Sequence, residues 1–118
     1  MDTEELSSTA QLLMAGDKGL LAMDESTPTC DKRFKALAIP QTEEYRRKYR
    51  ELIVTTPQLE NCISGAILFD ETTKQSTADG TLFIDILKGK GIIPGIKVDE
   101  GTIAMAGFPG EKITEGLD

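Results

Sequence analysis

The sequence predicts an α/β fold built on a parallel β-sheet. Three apolar runs, residues 19–23, 63–69 and 92–98, each end in charged residues, as is typical of strands buried on both faces. Helical patterns separate the runs, and strands that alternate with helices form βαβ units. A closed (β/α)8 TIM barrel needs about 250 residues. The 118 residues of this chain are therefore expected to form the N-terminal part of such a barrel, about three βα units.

The length and composition suit one domain, since 39% of the residues are hydrophobic and 28% are charged. We expect residues 1–118 to form a partial (β/α)8 barrel domain that is truncated at its C-terminus. A three-stranded parallel sheet would otherwise leave an unpaired edge, which natural folds normally cover.

Helix signals define the first half of the chain. Thr3 is expected to cap an amphipathic helix that ends before Gly16, and the first strand follows at residues 19–23. A short helix is predicted over residues 29–37, after Pro28.

Thr42 is expected to cap a stronger helix with two unlike faces. Its apolar face is predicted to hold Tyr45, Tyr49, Leu52 and Ile53, and its other face Arg46, Arg47, Lys48 and Arg50. The basic cluster is interpreted most simply as a solvated helix face or a subunit contact.

The second half of the chain begins with the strand at residues 63–69. Asp79-Gly80 marks a turn before a helical pattern over residues 82–87, and Gly89 to Gly91 end that helix. The third strand follows, although Pro94 is unfavourable in a central strand. The glycine-rich end of the chain is expected to carry one short strand at residues 103–106.

Composition excludes several classes of function. With 13 basic and 20 acidic residues the net charge is −7, so we expect no nucleic-acid partner and no membrane partner. The absence of histidine excludes Ser-His and Cys-His triads and histidine-ligated metals. Cys30 and Cys62 are too few and too far apart for a cysteine metal site and indicate buried or free thiols in a reducing, cytoplasmic setting. No metal and no cofactor are expected.

Candidate functional residues follow the predicted strands, because the carboxyl ends of parallel strands gather the chemistry of α/β folds. Asp24 could orient an amine or exchange protons with it, or simply cap the next helix. Ser26 and Thr29 could donate hydrogen bonds to a phosphate, or only form a turn. Arg33, one helical turn beyond Thr29, could reach the same anion or be solvated. Lys97 could hold a phosphate or form a Schiff base.

Asp70 and Glu71 follow the second strand. They could act as a carboxylate pair, but adjacent strand residues face opposite ways, so one of them is expected to cap a helix or form a salt bridge.

Three segments together resemble class I fructose-bisphosphate aldolase. They are Lys18-Gly-Leu-Leu-Ala-Met-Asp-Glu-Ser-Thr27, Arg46-Arg-Lys-Tyr-Arg-Glu-Leu52 and Gly91-Ile-Ile-Pro-Gly-Ile-Lys-Val-Asp99. The resemblance runs from about Leu6 to Asp118, in order and with similar spacing. It implies a cytoplasmic enzyme that cleaves fructose 1,6-bisphosphate reversibly into dihydroxyacetone phosphate and glyceraldehyde 3-phosphate. The family uses a lysine Schiff base and no metal, in glycolysis and gluconeogenesis.

The resemblance also implies residue roles. Asp24 would be the carboxylate beside the Schiff-base amine, with Ser26 and Thr29 near a substrate phosphate. Arg33 would contact a phosphate, and Lys97 would bind phosphate and position charge. A phosphorylated ketose would be the substrate, and a full-length chain would form a homo-oligomer.

Two positions depart from the family pattern, and two residues of the family mechanism are missing. Glu100 replaces a usual lysine, and Pro28 stands where glycine is frequent. The Schiff-base lysine and a later acid/base glutamate of the family would lie beyond residue 118. The alternative hypothesis is therefore a non-catalytic phosphosugar-binding or assembly fragment of a TIM barrel.

Overall fold

A computed structural model describes residues 2–117. Those residues form a three-stranded sheet, an antiparallel hairpin and five helices, in the order α1 (Thr3–Leu13), β1 (Gly19–Leu21), α2 (Thr27–Ala36), α3 (Glu43–Val54), β2 (Ile63–Leu68), α4 (Asp70–Thr73), α5 (Phe83–Gly89), β3 (Ile93–Ile96), β4 (Gly101–Ala104) and β5 (Lys112–Glu115). A short 3-10 turn, Leu59–Asn61, precedes β2. The larger sheet has the order β1-β2-β3, and both of its pairings are parallel. The predicted α/β fold with a parallel sheet is confirmed.

Pro94 lies within β3 without breaking its pairing to β2. The backbone N–H of Lys97 donates to the carbonyl oxygen of Leu68 at 2.8 Å. Because successive residues of a parallel strand bond to opposite neighbours, residues 93 and 95 face β2 and the nitrogen of Pro94 faces the free edge. A proline is tolerated there because no ladder hydrogen bond is lost.

The hydrophobic core lies between one face of β2 and helices α3 and α5. Its buried members are Val54, Ala66, Leu68, Phe83, Leu87 and Ile92. Phe83 is completely buried, so its truncation to alanine would destabilise the fold by about 3–5 kcal/mol. This core fixes β2, and with it the polar residues that follow the strands.

The opposite face of the sheet is largely open. Leu20 pairs in register with Gly65, so its side chain shares a face with Ile67, and the two residues are 50% and 39% exposed. The prediction that the first strand is buried on both faces was wrong, because Leu20 is exposed on this face. There Leu13 packs so closely on Gly65 that a Cβ atom at Gly65 would lie 2.5 Å from Leu13 Cδ2.

Two helices begin earlier than the sequence predicts. Asp2, rather than Thr3, caps α1, because its carboxylate accepts a hydrogen bond from the Glu5 N–H at 2.7 Å. Helix α2 begins at Thr27 and includes Pro28 in its first turn. That position suits proline, since the first-turn N–H groups of a helix have no partner within the helix.

The predicted faces of α3 were wrong for Arg46, Arg50 and Leu52, although the predicted cap was correct: Thr42 Oγ1 accepts from the Tyr45 N–H at 3.3 Å. Arg46, Arg50 and Val54 are buried, whereas Leu52 is 73% exposed. The two guanidinium groups are buried because carboxylates from α2, α4 and the segment after β1 surround them. Two basic side chains, Arg46 and Arg50, therefore form the packed face of this helix together with Val54.

The glycine-rich C-terminal part forms a hairpin of two strands, where the sequence predicted one. β4 pairs with β5 from Gly101↔Glu115 to Ala104↔Lys112. The predicted strand at residues 103–106 overlaps β4, but Lys112–Glu115 lacks a continuous apolar run and was missed.

Candidate functional site

Asp24 lies just beyond β1 and is fixed by two hydrogen bonds. Arg50 Nε donates to its Oδ1 at 2.9 Å, and the backbone N–H of Phe69 donates to its Oδ2 at 2.7 Å. The Asp24 side chain is only 2% exposed. It does not cap α2, because Ser26 occupies the N-cap position. Asp24 instead joins the ends of β1 and β2 to α3.

Arg50 is the centre of a buried ionic network. Its Nη1 donates to Glu71 Oε1 at 2.6 Å and to Gln75 Oε1 at 2.8 Å. Its Nη2 donates to the backbone oxygen of Glu25 at 3.3 Å. With an exposed fraction of 1%, Arg50 is a buried charge, and such a charge is tolerated only when it is fully paired and hydrogen bonded.

Arg46 extends the network away from Asp24. Its Nε and Nη2 donate to the two oxygens of Glu71 at 2.8 and 3.0 Å, and its Nη1 donates to Asp31 at 2.8 Å. The hydrogen bond from Arg46, aided by Arg50, lowers the pKa of Glu71, and the same contact raises the pKa of Arg46. The sequence predicts that one of the two acids after β2 caps a helix or forms a salt bridge, and Glu71 forms such a salt bridge. Asp70 pairs with the exposed Lys74 at 2.8 Å.

The N-terminus of α2 places two hydroxyl groups beside a cleft. Ser26 is the N-cap residue, but its side chain makes no capping hydrogen bond. Ser26 Oγ lies 3.3 Å from Thr29 Oγ1 instead. Free N–H groups and the helix dipole make such a terminus favourable for anions. The hydroxyl groups can therefore donate to an anion that approaches the helix end.

Lys97 directly follows β3 and reaches the same region. Its ammonium group pairs with Asp99, and its side chain is 34% exposed. This hydrogen bond lowers the pKa of Asp99. Lys97 is the one cationic side chain lining the cleft among residues 2–117.

The sequence-predicted residues meet in one cleft, with one exception. Its first part, of about 380 Å³, is lined by Ala22, Asp24, Glu25, Ser26, Thr29, Ile67 and Lys97. Ser26, Thr29 and Lys97 also line an adjoining space of about 440 Å³ together with Pro28, Phe69, Asp99, Glu100 and Gly101. The structure places these segments together at the carboxyl edge of the sheet, as the sequence predicts.

Arg33 lies outside this cleft. It pairs with Glu25 at 2.9 Å and lines a separate apolar hollow with Cys30, Phe34 and Tyr49. The Arg33 side chain is 70% exposed, so it is free to reorient. Cys30 is buried, and burial raises the pKa of its thiol; Cys62 is exposed.

Arg46 and Arg50 were not predicted as members of the buried ionic network that lies behind the cleft. A signal for them was present, because Arg46, Arg50 and Val54 recur at four-residue spacing and so share one helix face. Acids after two strands, Asp24 and Glu71, supply the matching charges. Basic residues repeated every four positions, the spacing at which a helix usually places its buried apolar residues, are the pattern that would have identified this network.

Two features that would indicate other chemistry are absent from residues 2–117. That part of the chain holds no group of three or more Cys, Asp or Glu side chains arranged to bind a metal ion. Its helices are also too short or too polar to cross a membrane.

Comparisons with known proteins agree on one family. The family model described as fructose-bisphosphate aldolase class-I matches residues 5–118. A relative from Xanthomonas campestris, named probable fructose-bisphosphate aldolase class 1, is 57% identical over all 118 residues, which cover 35% of its length. A cytosolic fructose-bisphosphate aldolase from Arabidopsis thaliana is 49% identical over 98% of the chain and 32% of its own length.

A solved structure gives the same result at the level of the fold. Fructose-bisphosphate aldolase from Plasmodium falciparum, solved in complex with TRAP and a small-molecule inhibitor, superposes with a TM-score of 0.90 at 46% identity. The match covers 97% of this chain and 33% of that one, so the chain spans about a third of the length of its relatives. The chain belongs to the class I fructose-bisphosphate aldolase family, and its α/β fold is part of a TIM barrel.

Proposed function

We propose that this chain contributes the first part of an enzyme that cleaves fructose 1,6-bisphosphate reversibly into dihydroxyacetone phosphate and glyceraldehyde 3-phosphate. The reaction would pass through a lysine Schiff base and would serve glycolysis and gluconeogenesis. One observation carries the proposal: Asp24, Ser26, Thr29 and Lys97 line a single cleft at the carboxyl edge of a parallel sheet, in a chain of this family.

A phosphate group suits the α2 end of the cleft. The Ser26 and Thr29 hydroxyl groups can donate hydrogen bonds, and the helix terminus adds N–H donors. Lys97 supplies a positive charge in a chain whose net charge is −7. A substrate with two phosphates needs such a local cationic site, since the rest of the chain repels anions.

Asp24 is proposed to act on the amine that forms the Schiff base. An iminium accepts electrons more readily than a ketone, so carbon–carbon cleavage becomes accessible without a metal. An ionised carboxylate has about four acceptor positions, and two of those on Asp24 are filled by Arg50 and Phe69. The remaining capacity lets Asp24 orient the amine and accept its proton.

Arg33 is proposed to bind a phosphate after a change of partner. In the structure it pairs with Glu25 at the rim of the cleft. Exposed ion pairs of this kind contribute only about 0–1 kcal/mol, so a doubly charged phosphate can compete for the guanidinium group. Glu100, close to Lys97, opposes the phosphate and is expected to weaken substrate affinity rather than change the reaction.

Several broader proposals accompany this function. Residues 1–118 would form the first three βα units of a barrel domain whose remaining strands cover Leu20 and Ile67, which are exposed on the open sheet face. The complete protein would be a cytoplasmic homo-oligomer that needs no metal. It would bind no nucleic acid and no membrane.

The proposal is tested by joining residues 1–118 to the remaining two thirds of the Xanthomonas campestris relative; we name this protein the joined enzyme. Fructose 1,6-bisphosphate cleavage is measured for the joined enzyme and for the relative itself. We expect turnover of the two proteins within about tenfold of each other. A folded joined enzyme without turnover, beside an active relative, would contradict the proposal.

Borohydride trapping with dihydroxyacetone phosphate locates the nucleophile and separates the proposal from a non-catalytic phosphosugar-binding role. The joined enzyme should form a covalent adduct on a lysine beyond residue 118, and the 118-residue chain alone should form none. An adduct on the short chain would show that one of its own lysines is the nucleophile.

A further inference from the structure

One side chain, Arg50, connects four parts of the molecule around Asp24. It projects from α3 and donates hydrogen bonds to Asp24, to the Glu25 backbone, to Glu71 in α4 and to Gln75. The segment from Asp24 to Ser26 has no helix or strand structure of its own. Its position therefore depends on the contacts that Arg50 makes with it.

We propose that Arg50 is the positioning residue that holds the Asp24 carboxylate for the Schiff-base amine. The inference rests on the proposed aldolase function and concerns the same site. Arg50 has no contact with the cleft, whose lining residues do not include it. It would act only through Asp24.

The geometry of this contact favours a directing role over simple charge neutralisation. The Arg50 Nε atom donates to one Asp24 oxygen while the Phe69 N–H, from the end of β2, donates to the other. Two donors on opposite oxygens fix both the position and the rotation of the carboxylate plane. Reacting groups held within a fraction of an ångström react far faster than groups that must find their orientation.

An arginine is required for this arrangement. The guanidinium group presents five donors in a rigid plane, and Arg50 uses its Nε, Nη1 and Nη2 atoms on different partners. A lysine would place one ammonium group among the same acceptors and could not fix the orientation of Asp24. Arg50→Lys therefore keeps the positive charge but removes the planar set of donors that orients Asp24.

Arg46 provides a matched control on the same helix. It is also buried, at 7% exposed, and shares Glu71 with Arg50, but its other carboxylate partner is Asp31 rather than Asp24. Arg46→Lys disturbs the same ionic network without touching Asp24. Both variants are expected to lower the thermal midpoint of the joined enzyme by similar amounts.

The experiment measures kcat and KM for fructose 1,6-bisphosphate in the joined enzyme, well below each thermal midpoint. We expect Arg50→Lys to lower kcat by about 10- to 100-fold with little change in KM. Arg46→Lys should change kcat by less than about threefold. Equal losses for the two variants would overturn the inference and leave the aldolase function intact, whereas an inactive unsubstituted joined enzyme would overturn both.

A double-mutant cycle tests whether Arg50 acts through Asp24. In an Asp24→Asn background, the effect of Arg50→Lys on kcat should shrink to less than about threefold, because the group it positions is already lost. An undiminished effect there would contradict the inference.

A milder variant covers the case in which Arg50→Lys does not fold. Gln75→Met removes one acceptor of Arg50 without contacting Asp24. We expect it to lower kcat by about two- to fivefold, again only when Asp24 is present. An unchanged kcat would count against the inference.

Discussion

The two sides of the candidate cleft are held in different ways. Asp24 has a side chain 2% exposed and bonds to partners on α3 and after β2, both distant in sequence. Lys97 has a side chain 34% exposed, and its partner Asp99 lies two residues further along the same segment. The first side is preorganised by the fold, whereas the second can adjust to what it binds.

This difference matches the two tasks proposed for the cleft. A group that handles protons at a reacting centre must be oriented before the substrate arrives. A cation that holds one phosphate of a flexible bisphosphate substrate gains from freedom of movement, and its half-exposed ion pair with Asp99 is more easily exchanged than a buried one. The effects of substitutions on the two sides should therefore differ in magnitude and in the kinetic constant that changes.

The largest effect is expected for Asp24→Asn. In the joined enzyme, loss of the proton acceptor should lower kcat by about 10²–10⁴-fold. From the sequence alone folding is expected to change little, but in the structure the buried Arg50 would lose one of its two carboxylate partners and keep only Glu71. We therefore expect a loss of about 1–3 kcal/mol in stability, measured by denaturant unfolding. Near-normal turnover in a folded variant would refute the role of Asp24.

Lys97→Met should act mainly on substrate binding. Removing a charge-assisted contact to phosphate should reduce transition-state stabilisation by about 1.5–3 kcal/mol, seen as a lower kcat/KM with most of the change in KM. Lys90→Met is the control, because Lys90 donates to the backbone oxygens of Val54 and Thr56, away from the cleft. Equal kinetics for Lys97→Met and the unsubstituted enzyme would exclude the role.

Glu71→Gln should lower the stability of the protein by an amount that depends on pH, because Glu71 belongs to the buried ionic network. The pKa of Glu71 lies below its ordinary value of 4.5 because Arg46 and Arg50 donate to it. A lowered folded-state pKa gives stability that is fully present above pH 4.5 and lost as the pH falls through the folded pKa. The variant should therefore melt at a lower temperature at pH 7, and the difference should narrow in acid. A difference that stays constant with pH would contradict this assignment.

The smallest effect is expected for Asp99→Asn, on the side of the cleft that holds Lys97. The variant loses the carboxylate that competes with phosphate for Lys97, so KM should fall by about two- to fivefold with kcat unchanged. Glu100→Gln removes the same charge from the neighbouring residue and should change KM less. If both variants shift KM equally, Asp99 acts through general charge rather than through its hydrogen bond to Lys97.

The contrast between the two sides also explains what the sequence could predict. Lys97 and Asp24 follow apolar runs, and the topology of parallel strands is enough to bring them to one edge. The burial of Arg46 and Arg50 depends on acids in three other segments, so local polarity gave the wrong face of α3. The hydrophobic pattern predicted Leu52 on the apolar face of α3, but the ionic partners of the arginines determined which face is packed.

Two other differences have a similar origin. β5 was missed because Lys112–Glu115 holds no continuous apolar run, and its strand structure comes from its pairing with β4. Arg33 and Thr29 are four residues apart on α2, which predicts a shared anion, yet the proximity of Glu25 draws Arg33 to the rim. Spacing along a helix indicates which residues can meet, and the surrounding charges determine which do.

Pro94 has a consequence for assembly. Its nitrogen carries no hydrogen and faces the free edge of β3, so any strand that adds to this edge forms its ladder with one donor missing. In the barrel proposed above, a chain synthesised from its N-terminus would present this edge before later strands cover it. The missing donor would weaken premature pairing between neighbouring nascent copies, and the strand proposed to cover the edge would compensate through side-chain packing.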